Sequence, residues 1–155
     1  MILPMRAVKV LACATVVVST GCFASMAASR RAAEVGAVKG VIDAFSTALE
    51  RGDTAQVRIL SGPGFRLLED SVEYDLAKAS AAVAGVLTSG KLSRALTELT
   101  IATHGSVAWA TWRVNAVFVS AGESLKFARW ESAVLERADG RWQIAFMTSM
   151  PAGSP

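Results

Sequence analysis

Hydrophobic residues follow a helical period in the first half of the chain and a period of two in the second half. Between Ser29 and Arg51, apolar residues recur at steps of three and four, which predicts one amphipathic helix. Ser29 is placed to cap its start, and Gly52 follows its end as a stop signal. The residues on the predicted buried face are Val38, Val41, Ile42, Phe45 and Leu49.

Residues 53–90 predict a short helix, a brief strand and a third helix. Asp53 is a suitable N-cap for the short helix, whose Val57 and Leu60 face inward. The segment Ser61-Gly62-Pro63-Gly64 ends this helix, because Pro and Gly both disfavour its continuation. The remaining elements are a strand over Phe65–Leu68 and a third helix that runs from its Asp75 cap to about Ser89, before Gly90.

From Lys91 onward, polar and apolar residues alternate, which predicts strands joined by tight turns. Gly140 in the segment Ala138-Asp139-Gly140 is free to take the positive φ of a hairpin turn. Helices followed by an antiparallel meander indicate an α+β fold, in which a curled, cone-shaped sheet packs against the N-terminal helices. The predicted strands are Leu96–Thr103, Val107–Val119, Leu125–Arg137 and a last strand with Trp142, Ile144, Phe146 and Thr148 on one face.

The first 28 residues have the composition of a removable leader. Arg6 and Lys9 precede an apolar run at residues 10–18, and small and polar residues follow it. This order is typical of a secretory signal peptide. We therefore predict an exported protein, periplasmic or extracellular, with a leader at residues 1–28 and one α+β domain at residues 29–155.

Two routes of leader processing are open. Ser25 and Ala27 place small residues at the −3 and −1 positions of an ordinary cleavage site, which would release a free protein. The alternative is Ser19-Thr20-Gly21-Cys22, which resembles a bacterial lipoprotein box and would make Cys22 a lipid anchor. Ser19 departs from that pattern, because a large aliphatic residue is usual there. Contact with a membrane is expected only through the leader or through lipid on Cys22.

Removal of the leader changes the charge and the cysteine content of the domain. The chain carries 16 Lys and Arg against 13 Asp and Glu; without Arg6 and Lys9 the 16 become 14, and the net charge is +1. A nearly neutral domain with no basic run beyond Arg30-Arg31 is not expected to bind nucleic acid. Cys13 and Cys22 both lie in the leader region, so the domain is expected to have neither a disulfide nor a thiolate nucleophile.

Three short motifs occur in a fixed order between residues 33 and 150. They are the helix junction Ala48-Leu49-Glu50-Arg51-Gly52-Asp53, the strand start Gly105-Ser106-Val107-Ala108-Trp109 and the hairpin of residues 130–137 and 139–144. In this combination they resemble the nuclear-transport-factor-2-like superfamily, in particular its SnoaL-like bacterial members.

The resemblance implies the cone-shaped fold without selecting a function. Members of the superfamily include ketosteroid isomerases, dehydratases, polyketide cyclases, dioxygenase small subunits and domains that only bind or assemble. Function must therefore be argued from the site. In SnoaL-like relatives the last strand often ends with a histidine near the position of Thr148, and the change to threonine argues against an acid–base role there.

Few titratable residues of the domain qualify for catalysis. His104 is the only histidine and is expected in a turn or at the surface, so neither a metal nor another cofactor is predicted. Tyr74 is the only tyrosine, and its place between two acidic residues at a helix start predicts exposure. Asp43, on the first helix, is expected on its solvated shoulder.

Glu131 and Arg129 share a strand face that is otherwise mostly apolar. Burial of a charged group is costly unless the group is paired, so we expect Glu131 to meet Arg129 or Arg113 if the face is buried. The pair would be structural or would contact a ligand inside the cone. Trp109 and Trp112 differ in parity and therefore face opposite sides, one lining the cone and the other suited to a dimer face.

The sequence leaves three functions open. The first is an exported, non-catalytic domain that binds a small apolar or amphipathic ligand in an aromatic-lined pocket. The second is a lyase, isomerase or cyclase with Glu131 or Asp43 as base. The third is a homodimeric assembly domain. No catalytic residue is assigned, and the pocket candidates are Phe45, Trp109, Arg113, Phe127, Arg129, Glu131 and Phe146.

Overall fold

A computed structural model describes residues 20–153 of the 155-residue chain, with the side chains of residues 20–24 and 87 outside the description. Three helices and six strands form one α+β domain. The helices are α1 (Thr20–Arg51), α2 (Thr54–Leu60) and α3 (Leu76–Ser89). The strands are β1 (Ser61–Glu69), β2 (Val72–Asp75), β3 (Lys91–His104), β4 (Val107–Ser120), β5 (Glu123–Ala138) and β6 (Arg141–Pro151).

The six strands form a single sheet in the order β2-β1-β6-β5-β4-β3. Strands β3 to β6 are the predicted antiparallel meander, and β1 joins it by parallel pairing with β6. The helices pack on one face, so that Val38, Ile42 and Phe45 of α1 share a buried core with Trp112 and Leu135 of the sheet. The predicted fold class is confirmed. No helix within residues 20–153 is long and apolar enough to cross a membrane.

Apart from the start of α1, the helix ends follow the predicted signals. The Asp53 carboxylate accepts a hydrogen bond from the Gln56 N–H at 2.9 Å at the start of α2. Asp75 accepts one from the Lys78 N–H at 2.8 Å at the start of α3. Gly52 ends α1 with a φ of +64°. Helix α1 begins earlier than predicted, at Thr20 instead of Ser29.

The leader and its processing are not tested by the structure. Residues 1–19 lie outside the described part of the chain, and so does the Cys22 side chain. The predictions of a signal peptide, of cleavage after Ala27 and of lipid on Cys22 therefore remain predictions.

The segment Ser61-Gly62-Pro63-Gly64 ends α2 as predicted and also begins β1. Ser61 pairs with Ile144 of β6, and the register then shifts before Arg66. The four-residue strand β2 was not predicted. It pairs antiparallel with β1 and brings Tyr74 opposite Leu67.

Two bulges bend the sheet. In β3 the register shifts between Thr97 and Thr100, with Glu98 at a φ of +56°. In β6 Phe146 pairs with Val134 while Ile144 pairs with Leu135, which leaves Ala145 as an extra residue. A bulge bends its strand and increases its twist, so these two positions help curl the sheet around the helices.

Candidate ligand-binding cavity

A cavity of about 420 Å³ lies between the helices and the inner face of the curled sheet. Its apolar wall comes from the three helices and from β1, β3, β4, β5 and β6, and its polar groups are few. The apolar lining is Phe45, Leu49, Val57, Phe65, Leu67, Ala79, Ala82, Val83, Val86, Leu92, Val114, Ala116, Phe118, Leu125, Phe127 and Met147. The polar lining is Glu69, Tyr74, Ser89, Arg94, Arg129, Glu131 and Ser149.

Strand β5 runs from the mouth of this cavity to its floor. Every second residue of β5 faces inward, and the exposed fraction falls from 62% at Leu125 and 38% at Phe127 to 5% at Glu131 and 0% at Leu135. The mouth is therefore apolar and open to solvent. The floor is closed, and its one acidic group is Glu131.

At the floor, Glu131 is held by two donors on one carboxylate oxygen. The Arg94 guanidinium donates from Nη2 to Glu131 Oε2 at 2.7 Å, and the Trp112 indole donates from Nε1 to the same oxygen at 2.9 Å. Glu50, near the end of α1, accepts the backbone N–H of Arg94 and ties this part of β3 to the helix. These bonds compensate the cost of burying Glu131, which an unpaired carboxylate would carry in full.

A second polar group, Arg129, lies two residues before Glu131 on the same face of β5, and therefore nearer the mouth. Its Nε donates to Ser149 Oγ at 2.6 Å, and Ser149 Oγ lies 3.5 Å from Glu131 Oε1. Its Nη2 donates to Asp70 Oδ1 at 2.8 Å and lies 3.4 Å from Glu69 Oε1. The two arginines of the cavity are therefore each matched by acids, Arg94 by Glu131 and Arg129 by Asp70 and Glu69.

The two acids beside Arg129 have opposite pKa shifts. Burial raises the pKa of Glu69, and the charge of Arg129 opposes this rise without cancelling it. The hydrogen bond from Arg129 lowers the pKa of the exposed Asp70. Burial would lower the pKa of Arg129, but the hydrogen bond to Asp70 and the charge of Glu69 outweigh it, so this pKa is raised.

The structure brings four of the seven pocket candidates together at the cavity. Phe45, Phe127, Arg129 and Glu131 all line it. Trp109, Arg113 and Phe146 lie on the outer face of the sheet and do not line it.

The outward orientation of these three residues has one geometric cause on β4 and another on β6. Trp112 faces inward and is 2% exposed, so Trp109 and Arg113, which have the opposite parity on β4, face outward. On β6 the extra residue Ala145 reverses the alternation. As a result Phe146 points out and Met147 points in, and the predicted shared face of the last strand holds only up to Ile144.

Three further predictions concern single residues. Asp43 is exposed, as predicted, and pairs with Lys39 away from the cavity. His104 is exposed at the end of β3, as predicted. Tyr74 is half-buried and lines the cavity, contrary to the predicted exposure, because β2 turns it toward α3. No cluster of three His, Cys, Asp or Glu residues suited to a metal occurs in the part of the chain that the structure describes.

The partner of Glu131 was missed in the sequence. It is Arg94, not Arg129 or Arg113. The signal was the alternation Leu92, Arg94, Leu96, which places an arginine on an otherwise apolar strand face. The alternation Phe65, Leu67, Glu69 is the corresponding signal for Glu69, which was also missed.

A family model that describes the SnoaL-like domain matches residues 38–153 of this chain. This range begins within α1 and includes every strand of the sheet and every residue that lines the cavity. A search of curated proteins finds no match to the sequence.

Solved structures share the fold at low sequence identity. A proposed dehydratase of the NTF2-like family from Streptomyces avermitilis is 16% identical and superposes with a TM-score of 0.70, covering 80% of this chain and 99% of that one. An NTF2-like protein with a cystatin-like fold from Novosphingobium aromaticivorans is 14% identical, with a TM-score of 0.71 and coverage of 85% and 91%. A ketosteroid isomerase-like protein from Erwinia carotovora atroseptica is 17% identical, with a TM-score of 0.65 and coverage of 79% and 98%.

Proposed function

The chain belongs to the SnoaL-like family, and from that premise we propose that it is a small-molecule-binding domain that holds an apolar or amphipathic ligand in its cavity without transforming it. The observation that carries the proposal is the cavity itself. Its volume of about 420 Å³ falls in the range of small-molecule sites, which are concave and mostly apolar with a few placed polar groups.

The absence of catalysis is supported by the surroundings of the two carboxylates that the sequence offered as bases, Glu131 and Asp43. Glu131 Oε2 accepts hydrogen bonds from both Arg94 and Trp112, so one of its two oxygens is already engaged within the protein. Asp43 lies outside the cavity and pairs with Lys39. A lyase, isomerase or cyclase based on Asp43 is therefore not supported, and one based on Glu131 would have to break the floor network first.

Binding is tested with the neutral fluorescent probe N-phenyl-1-naphthylamine. We expect its emission to rise in the presence of the protein, with energy transfer from tryptophan, and the melting temperature to rise with probe concentration. Ala82→Trp fills the cavity from α3 and should abolish the signal. Ala81→Trp is the matched control, because Ala81 is exposed on the same helix and does not line the cavity.

Two results would contradict this proposal. One is a probe signal that Ala82→Trp and Ala81→Trp reduce equally, since binding would then lie elsewhere. The other is no change in emission or melting temperature for any neutral apolar probe.

A homodimer is a second proposal, supported by the outer face of the sheet. Trp109, Trp130, Phe146 and Met150 are each at least a third exposed on neighbouring strands, and such apolar patches often mark contact sites. We expect sedimentation at micromolar concentration to give a dimer that Trp109→Lys dissociates. Ile59→Lys, at an exposed apolar site on α2, is the control. A monomeric wild type would exclude this proposal.

Export is a third proposal and depends on the leader pattern alone. The order of basic, apolar and small residues in residues 1–28 supports it. Expression of the full chain in a bacterium, followed by fractionation and intact-mass measurement, distinguishes cleavage after Ala27 from lipid on Cys22. Retention of the uncut chain in the cytoplasm would contradict both routes.

A further inference from the structure

We propose that the cavity selects an uncharged ligand with a hydroxyl group, and that this group goes in first and binds Arg94 and Glu131 at the floor. The inference rests on the proposed binding function and adds the chemical class of the ligand and its orientation. Four features of the floor and the mouth support it.

The floor has donor capacity that the protein leaves unused. Arg94 donates one side-chain hydrogen bond, from Nη2 to Glu131, although a guanidinium carries five N–H groups. Within residues 20–153, Nε is buried without a partner and Nη1 makes no hydrogen bond. The side chain is only 10% exposed, so bulk water reaches it poorly. A ligand oxygen in the cavity would supply the missing acceptor.

The floor also has acceptor capacity that is only weakly used. Glu131 Oε2 accepts from both Arg94 and Trp112, whereas Oε1 has only the Ser149 hydroxyl at 3.5 Å. A contact of that length is a weak hydrogen bond. A hydroxyl both donates and accepts, so one hydroxyl of a ligand satisfies Glu131 Oε1 and Arg94 together.

The charge balance disfavours an anionic ligand. Arg94 is matched by Glu131, and Arg129 is matched by Asp70 and Glu69. An incoming carboxylate would find no free cation and would lie beside the buried Glu131. Burial of an unpaired charge is far more costly than burial of a satisfied hydroxyl.

The orientation follows from the gradient along β5. Leu125 and Phe127 surround the open mouth, and the polar groups Arg129 and Glu131 lie deeper. An apolar chain or ring system is therefore favoured at the mouth, with the oxygen-bearing end at the floor.

The experiment is isothermal titration at pH 7 with octan-1-ol, octan-2-one and octanoate, which share an eight-carbon chain. We expect octan-1-ol to bind about tenfold more tightly than octanoate, because an analogue that leaves buried polar groups unpaired is rejected. Octan-2-one, which accepts but does not donate, should fall between the two.

A variant and a local signal test the assigned contact. Arg94→Lys keeps a positive charge for Glu131 but loses the planar set of donors, so the preference for octan-1-ol should fall to about threefold or less. Arg113→Lys on the outer face should keep the wild-type preference. In the wild type, octan-1-ol should also shift the nuclear magnetic resonance signal of the Trp112 indole N–H, identified by its loss in Trp112→Phe.

The outcomes separate the two proposals. Equal binding of the three compounds, or tighter binding of octanoate, would overturn the hydroxyl selectivity while the binding function stands. Binding of octan-1-ol without a shift of the Trp112 signal would overturn the orientation. No binding of any of the three would overturn both, and this result does not depend on whether Arg94→Lys folds.

Discussion

The two faces of the central strands place similar residues in opposite environments. On β4, Trp112 faces the core, is 2% exposed and donates to Glu131, whereas Trp109, three residues earlier, faces outward and is 46% exposed. On β6 the neighbours Met147 and Phe146 show the same contrast.

The contrast shows that residue type alone does not decide what a position contributes. On the inner face the buried Glu131 carboxylate and the Trp112 indole N–H are paired, since burial without a partner is costly. On the outer face, the aromatic side chains of Trp109, Trp130 and Phe146 remain partly exposed to water. Stability should therefore depend on the inner face, and association on the outer face.

The largest expected effect is at the floor. Glu131→Leu removes the partner of Arg94 and leaves a guanidinium that is only 10% exposed without a counter-charge. We expect a loss of about 3–5 kcal/mol in the free energy of unfolding, measured by urea denaturation. Glu136→Leu, at an exposed site on the outer face of the same strand, should stay within about 0.5 kcal/mol. Equal effects would mean that the floor pair does not hold the fold.

The next effect tests the bulge in β6. Met147→Ala should cost about 2–5 kcal/mol, because Met147 is 2% exposed and its truncation leaves a void. Phe146→Ala should cost less than about 1 kcal/mol, because that ring is 40% exposed. Thermal unfolding of both variants in parallel measures the difference. A reversed order would show that the strand alternates without the extra residue.

The tryptophans of β4 give a smaller contrast. Trp112→Phe keeps the aromatic ring but removes the donor to Glu131, and we expect a loss of about 1.5–3 kcal/mol. Trp109→Phe should change the free energy of unfolding by no more than about 0.5 kcal/mol. Urea denaturation at two protein concentrations separates this effect from any change in dimerisation. Similar losses for both variants would contradict the division between the faces.

The smallest effect is a pH dependence with opposite signs at two neighbouring acids. The folded pKa of Glu69 lies above 4.5, so the melting temperature of wild type should fall relative to Glu69→Gln as pH rises from below 4.5 through that pKa. The folded pKa of Asp70 lies below 3.8, so the advantage of wild type over Asp70→Asn should be complete above pH 3.8 and vanish as pH falls through that pKa. Two difference curves of the same sign would refute the assignment.

Local patterns predicted the fold well because its determinants are local. The caps Asp53 and Asp75 and the face shared by Arg129 and Glu131 depend only on spacing within one element. Strand β2 was not predicted, because four residues are too few to show a period.

The site was predicted only in part because it depends on pairings between distant elements. Arg94 lies 37 residues before Glu131, and only the sheet register brings them together. The extra residue at Ala145, which turns Phe146 away from the cavity, leaves no mark in the alternation of apolar residues. The sequence predicted that Trp109 and Trp112 lie on opposite faces of the sheet. It did not predict which of the two faces packs against the helices.

At the extra residue Ala145, the numbering of the inward-facing residues of β6 changes from even to odd. Before it, even-numbered residues such as Trp142 and Ile144 are buried; after it, odd-numbered residues such as Met147 and Ser149 are. Deletion of this one alanine would join Ile144 directly to Phe146, and a regular alternation would then keep Met147 and Ser149 facing inward. The bend of β6 can thus be removed by a change of length alone, while the residues that this strand gives to the cavity wall stay the same.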